Sequence, residues 1–282
     1  MNVSVVVVDC AVDRHQAAEN LEALRTSVNG RARIVVATKT GLAPIASYEA
    51  TIIGATRGEC MRAGLDHLVG IAVLFSDTDT RVDSGWFDAA RSAFESGTRL
   101  VCGRVGPDAT RKKLPVVTAC GYALDYGRHC ARPYLNAEGH PSANNFGASR
   151  SLIDSSAGGP FWKSQFCGDL KVHGITAMPI DGMDAESTKR YTLVGIAVDQ
   201  MRRGWLHASL QCSHMTQRSR GFRVFLVPLV PMVSMFRLLR EPGYRPPLMA
   251  WPLIAIGLSA WAVGEGIGYS LHRPPLRKDV FG

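Results

Sequence analysis

Short apolar runs punctuate the first hundred residues. Val3 to Val8 is a run of valines broken only by Ser4, and Ala32 to Ala37 and Ile71 to Ser76 are two further runs of similar length. Apolar runs without polar alternation are typical of strands buried on both faces. A fourth, shorter run from Leu100 to Gly103 predicts one more strand.

Segments with helical periodicity separate these strands. Asp13 and Gln16 have the spacing of a capping box, and apolar residues follow at positions 17, 21 and 24. The pattern also predicts helices over residues 56–68 and 85–96. Strands that alternate with helices predict an α/β fold, with a mostly parallel central sheet flanked by helices.

Carboxylates stand where two of the strands end. Asp9 ends the first strand, and Asp77 and Asp79 directly follow the third. In open α/β sheets ligands bind outside the carboxyl ends of the strands. Two acids one residue apart on such a turn can bind a hard cation together with phosphate oxygens. The alternative is that these acids only cap the next helix or form a turn.

Three segments, in order, resemble the family 2 glycosyltransferases with the A-type nucleotide-sugar-binding fold. In that family an Arg-led helix precedes a strand and a DxD motif, an acceptor-side segment follows, and a late helix ends in R-x-G before a His. The matching segments here are TRGECMRAGLDHLVGIAVLFSDTDTRVDSGWF (56–87), NNFGASRSLIDSSAGGPF (144–161, interrupted by Pro160) and RRGW (202–205).

The resemblance implies inverting transfer of a sugar from a nucleotide-diphosphate sugar. It implies that Asp77 and Asp79 bind Mn²⁺ or Mg²⁺, with His214 as a further ligand. It places Asp9, Arg57 and Asp77 at the donor. Asp9 as a plain strand-end carboxylate, and His214 as an ordinary side chain of a strand-like segment, remain alternatives. The second strand ends VVATKTG, without the acid that reads the base in many relatives, so the nucleotide stays open.

The resemblance also suggests a catalytic base and an acceptor side. Asp184, ahead of Glu186 and Asp181, is the candidate base, at the amino end of a helix predicted from Glu186 to Arg203. Helix capping is the alternative role for Asp184. Trp86 and Asn145 are assigned to the acceptor side, with burial in the core as the alternative for Trp86.

The excess positive charge is confined to the last third of the chain. Residues 201–282 contain eleven basic and three acidic residues, which accounts for the whole formal net charge of +8. Two apolar segments lie there, from Val224 to Phe236 and from Leu248 to Leu271. The first is thirteen residues long and reaches only about 20 Å as a helix, short of a bilayer core of ~30 Å.

Apolar segments flanked by arginines predict contact with an anionic membrane surface. Basic residues flank the second segment on both sides, which favours a re-entrant or surface-lying helix, with a single span left open. The alternatives are a buried soluble helix and an oligomer interface. We therefore expect a catalytic nucleotide-sugar-binding domain over 1–215 and a membrane-associating segment over 216–282.

The predicted function is glycosyl transfer to a lipid-linked or saccharide acceptor at the cytoplasmic face of the cell membrane. One alternative is a catalytically inactive relative that binds or assembles components of a polysaccharide pathway. Nucleic-acid binding is disfavoured, because the basic residues flank apolar runs and do not interleave with aromatic platforms. Seven cysteines without a CxxC pair favour a reducing compartment.

Overall fold

The computed structural model describes residues 2–9, 13–39, 51–54, 57–111, 113–135, 139–155, 166–167, 170–171, 173–212, 215–240 and 243–271. Among these, the side chains of 39, 51–54, 57–58, 210 and 217–218 are not described. The chain forms two compact units. The sheet unit contains Met1–Lys112 and Arg128–Lys189, and the helical unit contains Lys113–Gly127 and Arg190–Gly282.

In the part of the chain that the structure describes, every strand belongs to the sheet unit. They are β1 (Val3–Asp9), β2 (Arg33–Lys39), β3 (Thr51–Gly54), β4 (Ala72–Asp77), β5 (Thr80–Val82), β6 (Leu100–Cys102), β7 (Val105–Pro107), β8 (Phe146–Ser149), β9 (Met178–Pro179) and β10 (Ala185–Ser187). Its helices are α1 (Arg14–Val28), α2 (Arg57–Asp66), α3 (Trp86–Glu95) and α5 (Arg150–Ser155). The helical unit contains α4 (Val116–Tyr126), α6 (Leu193–Cys212), α7 (Gln217–Leu226), α8 (Val230–Arg240) and α9 (Trp251–Leu271).

Seven strands form the main sheet in the order β3-β2-β1-β4-β8-β6-β9. Among the described strands of this sheet, the two pairings of β8 are antiparallel and the other four are parallel. The predicted α/β fold with a mostly parallel sheet is confirmed. Every residue of β1 is buried, and its valines alternate between the hydrophobic clusters on the two faces of the sheet. This double burial explains why the strand carries no polar alternation.

The predicted helix boundaries are confirmed in the first half of the chain and wrong in one later place. Asp13 caps α1 by accepting a hydrogen bond from the Gln16 backbone N–H at 3.2 Å. The helix predicted from Glu186 to Arg203, however, begins only at Leu193, and its first residues form β10. β10 pairs with β5 and β7, and these strand hydrogen bonds outweigh the local helical periodicity.

The R-x-G segment does not end a helix. α6 continues past Gly204 to Cys212, so most of the segment expected to be strand-like is helical. The glycine serves close packing instead: a Cβ at Gly204 would lie 2.1 Å from the carbonyl oxygen of Trp261 on α9. By packing, α6 therefore belongs with the C-terminal helices, although the predicted division at residue 215 places it with the catalytic domain.

Candidate functional site

A second, three-stranded sheet lies at the carboxyl end of β4, in the order β5-β10-β7. β5 and β10 are antiparallel, with Arg81 opposite Glu186 and Thr80 opposite Ser187. Thr80 and Ser187 are buried, so the alternation of strands turns Arg81 and Glu186 to the opposite, half-exposed side. We call this side, together with the acids that directly flank the two strands, the polar face; its residues are Asp79, Arg81, Asp83, Asp184 and Glu186.

The two acids of the DxD motif have different surroundings. Asp77 is 3% exposed and accepts a 2.6 Å hydrogen bond from the Thr80 hydroxyl. The Asn144 side-chain amide donates to the same hydroxyl at 2.6 Å, and Ser142 donates to Asn144. Asp79 is half-exposed on the polar face. The structure therefore holds Asp77 in a buried network and presents Asp79 outward.

Backbone hydrogen bonds fix the turn that contains Asp79. The Asp79 carbonyl accepts from the Thr188 backbone N–H at 2.8 Å and from the Thr188 hydroxyl at 3.0 Å. On α1, the buried Asn20 side-chain amide donates to the Thr78 carbonyl and to the Thr188 hydroxyl oxygen, both at 2.8 Å. The DxD turn and the chain after β10 are thereby joined side by side.

Asn20 was not predicted as a site residue. It lies in the buried stripe of α1, three residues after Ala17 and four before Leu24. A polar residue inside an apolar helical stripe must find a buried hydrogen-bond partner. That position in the stripe is the sequence signal that could have identified it.

Asp9 lies at the end of β1 and is fully buried. Both of its carboxylate oxygens accept from the Arg14 guanidinium at 2.8 Å, and the Thr78 hydroxyl donates to it at 3.1 Å. The bidentate pair gives Asp9 a defined internal partner. The predicted donor contacts of Asp9 and Arg57 stay predictions, because the Arg57 side chain and residues 40–50 lie outside the description.

The two candidate bases differ in their pairing. Glu186 forms an ion pair with Arg81 and accepts from the Ala109 backbone N–H at 3.4 Å. Arg81 also bonds Asp108 at 3.3 Å, which extends the charge network. Asp184 is half-buried, and its carbonyl accepts from the Asp83 backbone N–H at 3.1 Å. Asp184 is not a helix cap, because the segment that follows it is a strand.

A third acid on the polar face, Asp83, was not predicted as a site residue. Its pKa is raised above the ordinary value of 3.8, first by desolvation and then by the negative charges of Glu186 and Asp184. The charges of Arg104 and Arg81 oppose this shift. A raised carboxyl pKa is typical of groups that exchange protons in active sites. The pairing of β5 with β10, which local sequence does not reveal, brings these acids together.

We expect Asp83→Asn to raise the thermal unfolding temperature at pH 7 and to change it little near pH 3. The folded-state pKa lies above the unfolded value, so ionising this carboxyl disfavours folding once the pH rises through that window. An uncharged amide removes this repulsion. Unfolding followed by circular dichroism at both pH values measures it, with Glu22→Gln, on the exposed side of α1, as the control. Equal shifts at the two pH values would contradict the electrostatic origin.

Trp86 and Asn145 lie in the core beside the polar face. Both are fully buried, and the Trp86 indole N–H donates to the Asn145 side-chain oxygen at 2.8 Å. The Asn145 amide donates to the carbonyls of Arg104 at 2.7 Å and Met183 at 3.0 Å. This arrangement ties α3 to the residue just before Asp184. Both side chains are therefore engaged in the core, and their predicted place on the acceptor side stays a prediction.

The described side chains could hold a divalent cation only if a bound substrate also supplied ligand atoms to it. Among the described residues, no three side chains of His, Cys, Asp or Glu form a metal-binding group. Mg²⁺ is commonly held by one or two carboxylates together with water and substrate phosphates. The role of Asp77 and Asp79 as those carboxylates stays a prediction. His214 lies outside the described residues, and its predicted role stays a prediction.

Comparison with known proteins shows similarity at the level of the fold. No family model and no curated protein matches the chain. The mannosyltransferase PcManGT from Pyrobaculum calidifontis, solved with GDP-Man and Mn²⁺, has a TM-score of 0.51 and 12% identity, over 95% of this chain and 73% of that chain.

Two further structures are similar at lower TM-scores. Glucosyl-3-phosphoglycerate synthase from Mycobacterium tuberculosis, in complex with phosphoglyceric acid, has a TM-score of 0.44 and 14% identity, over 70% of this chain and 75% of that chain. Residues 1–349 of S. aureus TarS, in complex with UDP-GlcNAc, have a TM-score of 0.44 and 16% identity, over 68% of this chain and 60% of that chain. The predicted glycosyltransferase A-type fold is confirmed by the similarity to PcManGT.

Proposed function

We propose that this protein is a glycosyltransferase that moves a sugar from a nucleotide-diphosphate sugar to an acceptor hydroxyl with inversion. One observation carries the proposal: the DxD turn at the end of β4 is hydrogen-bonded alongside the segment that contains Asp184. On this proposal the DxD turn would bind the diphosphate, and Asp184, on the same polar face, would accept the proton. The fold similarity to a mannosyltransferase solved with GDP-Man and Mn²⁺ supports it.

In this proposal the sheet edge binds the diphosphate of the donor. Asp79, with Asp77 as the second acid, would hold Mn²⁺ or Mg²⁺. When bound, the cation would neutralise charge that develops on the diphosphate leaving group. The buried Thr80 and Asn144 would keep Asp77 in place, and Asn20 would fix the turn. A rigid turn is important because the carboxylates must already be in position when the reaction takes place.

Asp184 is the proposed general base for the acceptor hydroxyl. Glu186 is engaged by the Arg81 ion pair and by the Ala109 backbone N–H, so its carboxylate is less available to an acceptor hydroxyl. Asn145, through its hydrogen bond to the Met183 carbonyl, would orient the segment that carries the base.

The proposed place of action is the cytoplasmic face of the cell membrane, with a lipid-linked or saccharide acceptor. Among the described residues, two segments are long and apolar enough to cross a membrane by length and composition, Ser219–Arg240 and Leu248–Leu271. Such segments also occur as buried helices inside soluble proteins. The buried fraction of each segment therefore distinguishes a buried helix from one that contacts a membrane. None of the apolar window in Ser219–Arg240 is buried, compared with 39% of that in Leu248–Leu271.

The proposal is tested by incubating the purified full-length protein with a panel of GDP-, UDP- and dTDP-sugars. We expect slow hydrolysis of one donor with Mn²⁺ or Mg²⁺ and none after chelation with EDTA, because water can replace the acceptor. Release of the nucleoside diphosphate is measured by liquid chromatography. Metal-dependent donor binding without any turnover, even with added acceptor glycans and glycolipids, would instead support a catalytically inactive binding protein. Absence of both binding and turnover would contradict the proposal.

A further inference from the structure

A continuous stripe of large apolar side chains lies exposed along α7, the 3-10 turn Val227–Leu229 that follows it, and α8. Its six residues are spaced three and four positions apart, and on a helix this spacing places side chains on the same side. Each of the six side chains is between 48% and 79% exposed. We call these residues the outer stripe: Phe222, Phe225, Leu229, Met232, Phe236 and Leu239. Monomeric soluble proteins rarely expose so many large apolar side chains in one row.

The opposite side of these helices is anchored within the helical unit. Met235 and Leu238 pack against the hydrophobic cluster that includes Ile254 and Leu258 of α9, and Val227 packs against Ala208 of α6 and its neighbours. The α7–α8 segment therefore packs along the rest of the helical unit with one side. Its other side, which carries the outer stripe, is exposed.

An apolar groove borders the outer stripe. It has a volume of ≈ 250 Å³ and is lined by Pro231, Met232, Met235, Phe236, Leu239 and Ala255, with no polar lining atoms. A groove of this size and chemistry suits hydrocarbon chains more than a polar ligand. It lies where the second half of the outer stripe meets α9.

Arginines stand at both ends of the stripe. Arg223 near its beginning and Arg237 and Arg240 at its end are exposed, and Arg245 follows. Between Arg223 and Arg237 the chain carries no charge, a length of about 20 Å as a helix against a bilayer core of ~30 Å. Positive charge at both ends therefore fits one anionic surface better than two opposite ones.

The second apolar helix, α9, is bound to a charged helix. A Cβ at Gly264 would lie 1.9 Å from the Met201 carbonyl oxygen, and one at Gly268 would lie 2.6 Å from that of Trp205, so the backbones of α9 and α6 are in close contact. α6 carries Asp199, Arg202 and Arg203. If α9 crossed a bilayer it would draw these charges into it, which is unfavourable.

Polar contacts reinforce the pairing of α6 with α9. The Tyr269 hydroxyl of α9 donates to the Gln211 side-chain oxygen of α6 at 3.0 Å. His207 of α6 lies 3.9 Å from the Glu265 carboxylate of α9, and its ring centroid is 5.8 Å from that of Trp261. Helices joined by both backbone packing and side-chain hydrogen bonds do not separate without leaving buried polar groups unsatisfied.

We propose that the outer stripe of α7 and α8 is an in-plane docking surface for an anionic lipid bilayer, and that α9 is an internal helix and not a membrane span. The stripe enters one leaflet, the flanking arginines contact anionic head groups, and the groove takes hydrocarbon chains. This inference rests on the proposed action at a membrane face, but not on the transfer chemistry.

The test uses full-length protein and vesicles of phosphatidylglycerol and phosphatidylcholine in equal parts. Phe225→Asp and Phe236→Asp should each weaken co-sedimentation with these vesicles at least about tenfold, because each removes a large buried apolar side chain from the lipid phase. Ile256→Asp and Val263→Asp are matched controls, since both residues are exposed apolar positions of α9. The controls should bind as the wild type does. Circular dichroism establishes that all four variants are folded.

Three results would overturn the proposal. Loss of vesicle binding in the α9 variants alone would make α9 the membrane element. Sedimentation velocity that shows a wild-type dimer, dissociated by Phe225→Asp without loss of vesicle binding, would make the stripe an interface between two copies. Trypsin added outside the vesicles should cut on both sides of the stripe; protection of one side would mean that the segment crosses the bilayer. Donor hydrolysis, measured in parallel, can fail while this pattern of binding holds.

Discussion

Asp79→Asn is expected to abolish metal-dependent donor binding and leave the protein folded. The amide removes a negative charge from the half-exposed position of the DxD turn, where a cation would be shared with the diphosphate. The hydrogen bonds that hold the turn use the Asp79 backbone carbonyl, so they survive the substitution. Isothermal titration with the preferred nucleotide sugar, with and without Mn²⁺, measures the effect.

The control for this variant is Asp66→Asn. Asp66 ends α2 and precedes β4, so it lies toward the amino edge of the sheet, away from the DxD turn. It is exposed and forms a 3.7 Å ion pair with Arg62. The control should bind the donor as the wild type does. If Asp79→Asn retains normal Mn²⁺-dependent affinity, the proposed metal site is wrong.

Asp184→Asn is expected to reduce turnover by about 10²–10⁴-fold with donor affinity nearly unchanged, which is the typical loss of a general base. A base acts on the acceptor proton in the transition state, whereas the donor is bound through its nucleotide and diphosphate. The size of the effect is measured as kcat with a saturating acceptor, and donor affinity is measured separately by titration.

Asp181→Asn is the matched control for the base. Asp181 lies three residues earlier, is exposed, and receives a 3.0 Å hydrogen bond from Arg132 that lowers its pKa. A carboxylate with a lowered pKa is a poor base, so its loss should leave turnover near normal. Normal turnover in Asp184→Asn would transfer the role to Asp83, whose pKa is raised.

The local pattern of apolar and polar residues predicted correctly the strands and helices whose buried positions it marks. The valines of β1 are buried on both faces, and the acids after β1 and β4 lie at the sheet edge as expected. Asp13 caps α1 because capping depends on residues only three positions apart. These features follow from neighbours in sequence, so a single sequence reveals them.

The features that the sequence did not reveal arise from contacts between residues far apart in the chain. Glu186 and Arg81 are 105 residues apart, yet their pairing across β10 and β5 replaces a predicted helix start by a strand. The same pairing brings Asp83 to Asp184. On α6, Gly204 was taken as the end of a helix, whereas its use is close contact with α9, 57 residues later in the chain. Neither effect leaves a local signal.

The DxD edge of the sheet is proposed to bind a nucleotide-diphosphate sugar. Native mass spectrometry tests this binding most directly. The full-length protein is equilibrated with a panel of GDP-, UDP- and dTDP-sugars in the presence of Mn²⁺. The proposed site predicts one dominant adduct with the mass of a nucleotide sugar plus a divalent cation, lost on chelation and absent in Asp79→Asn. A protein that retains no nucleotide sugar with either Mn²⁺ or Mg²⁺ would contradict it.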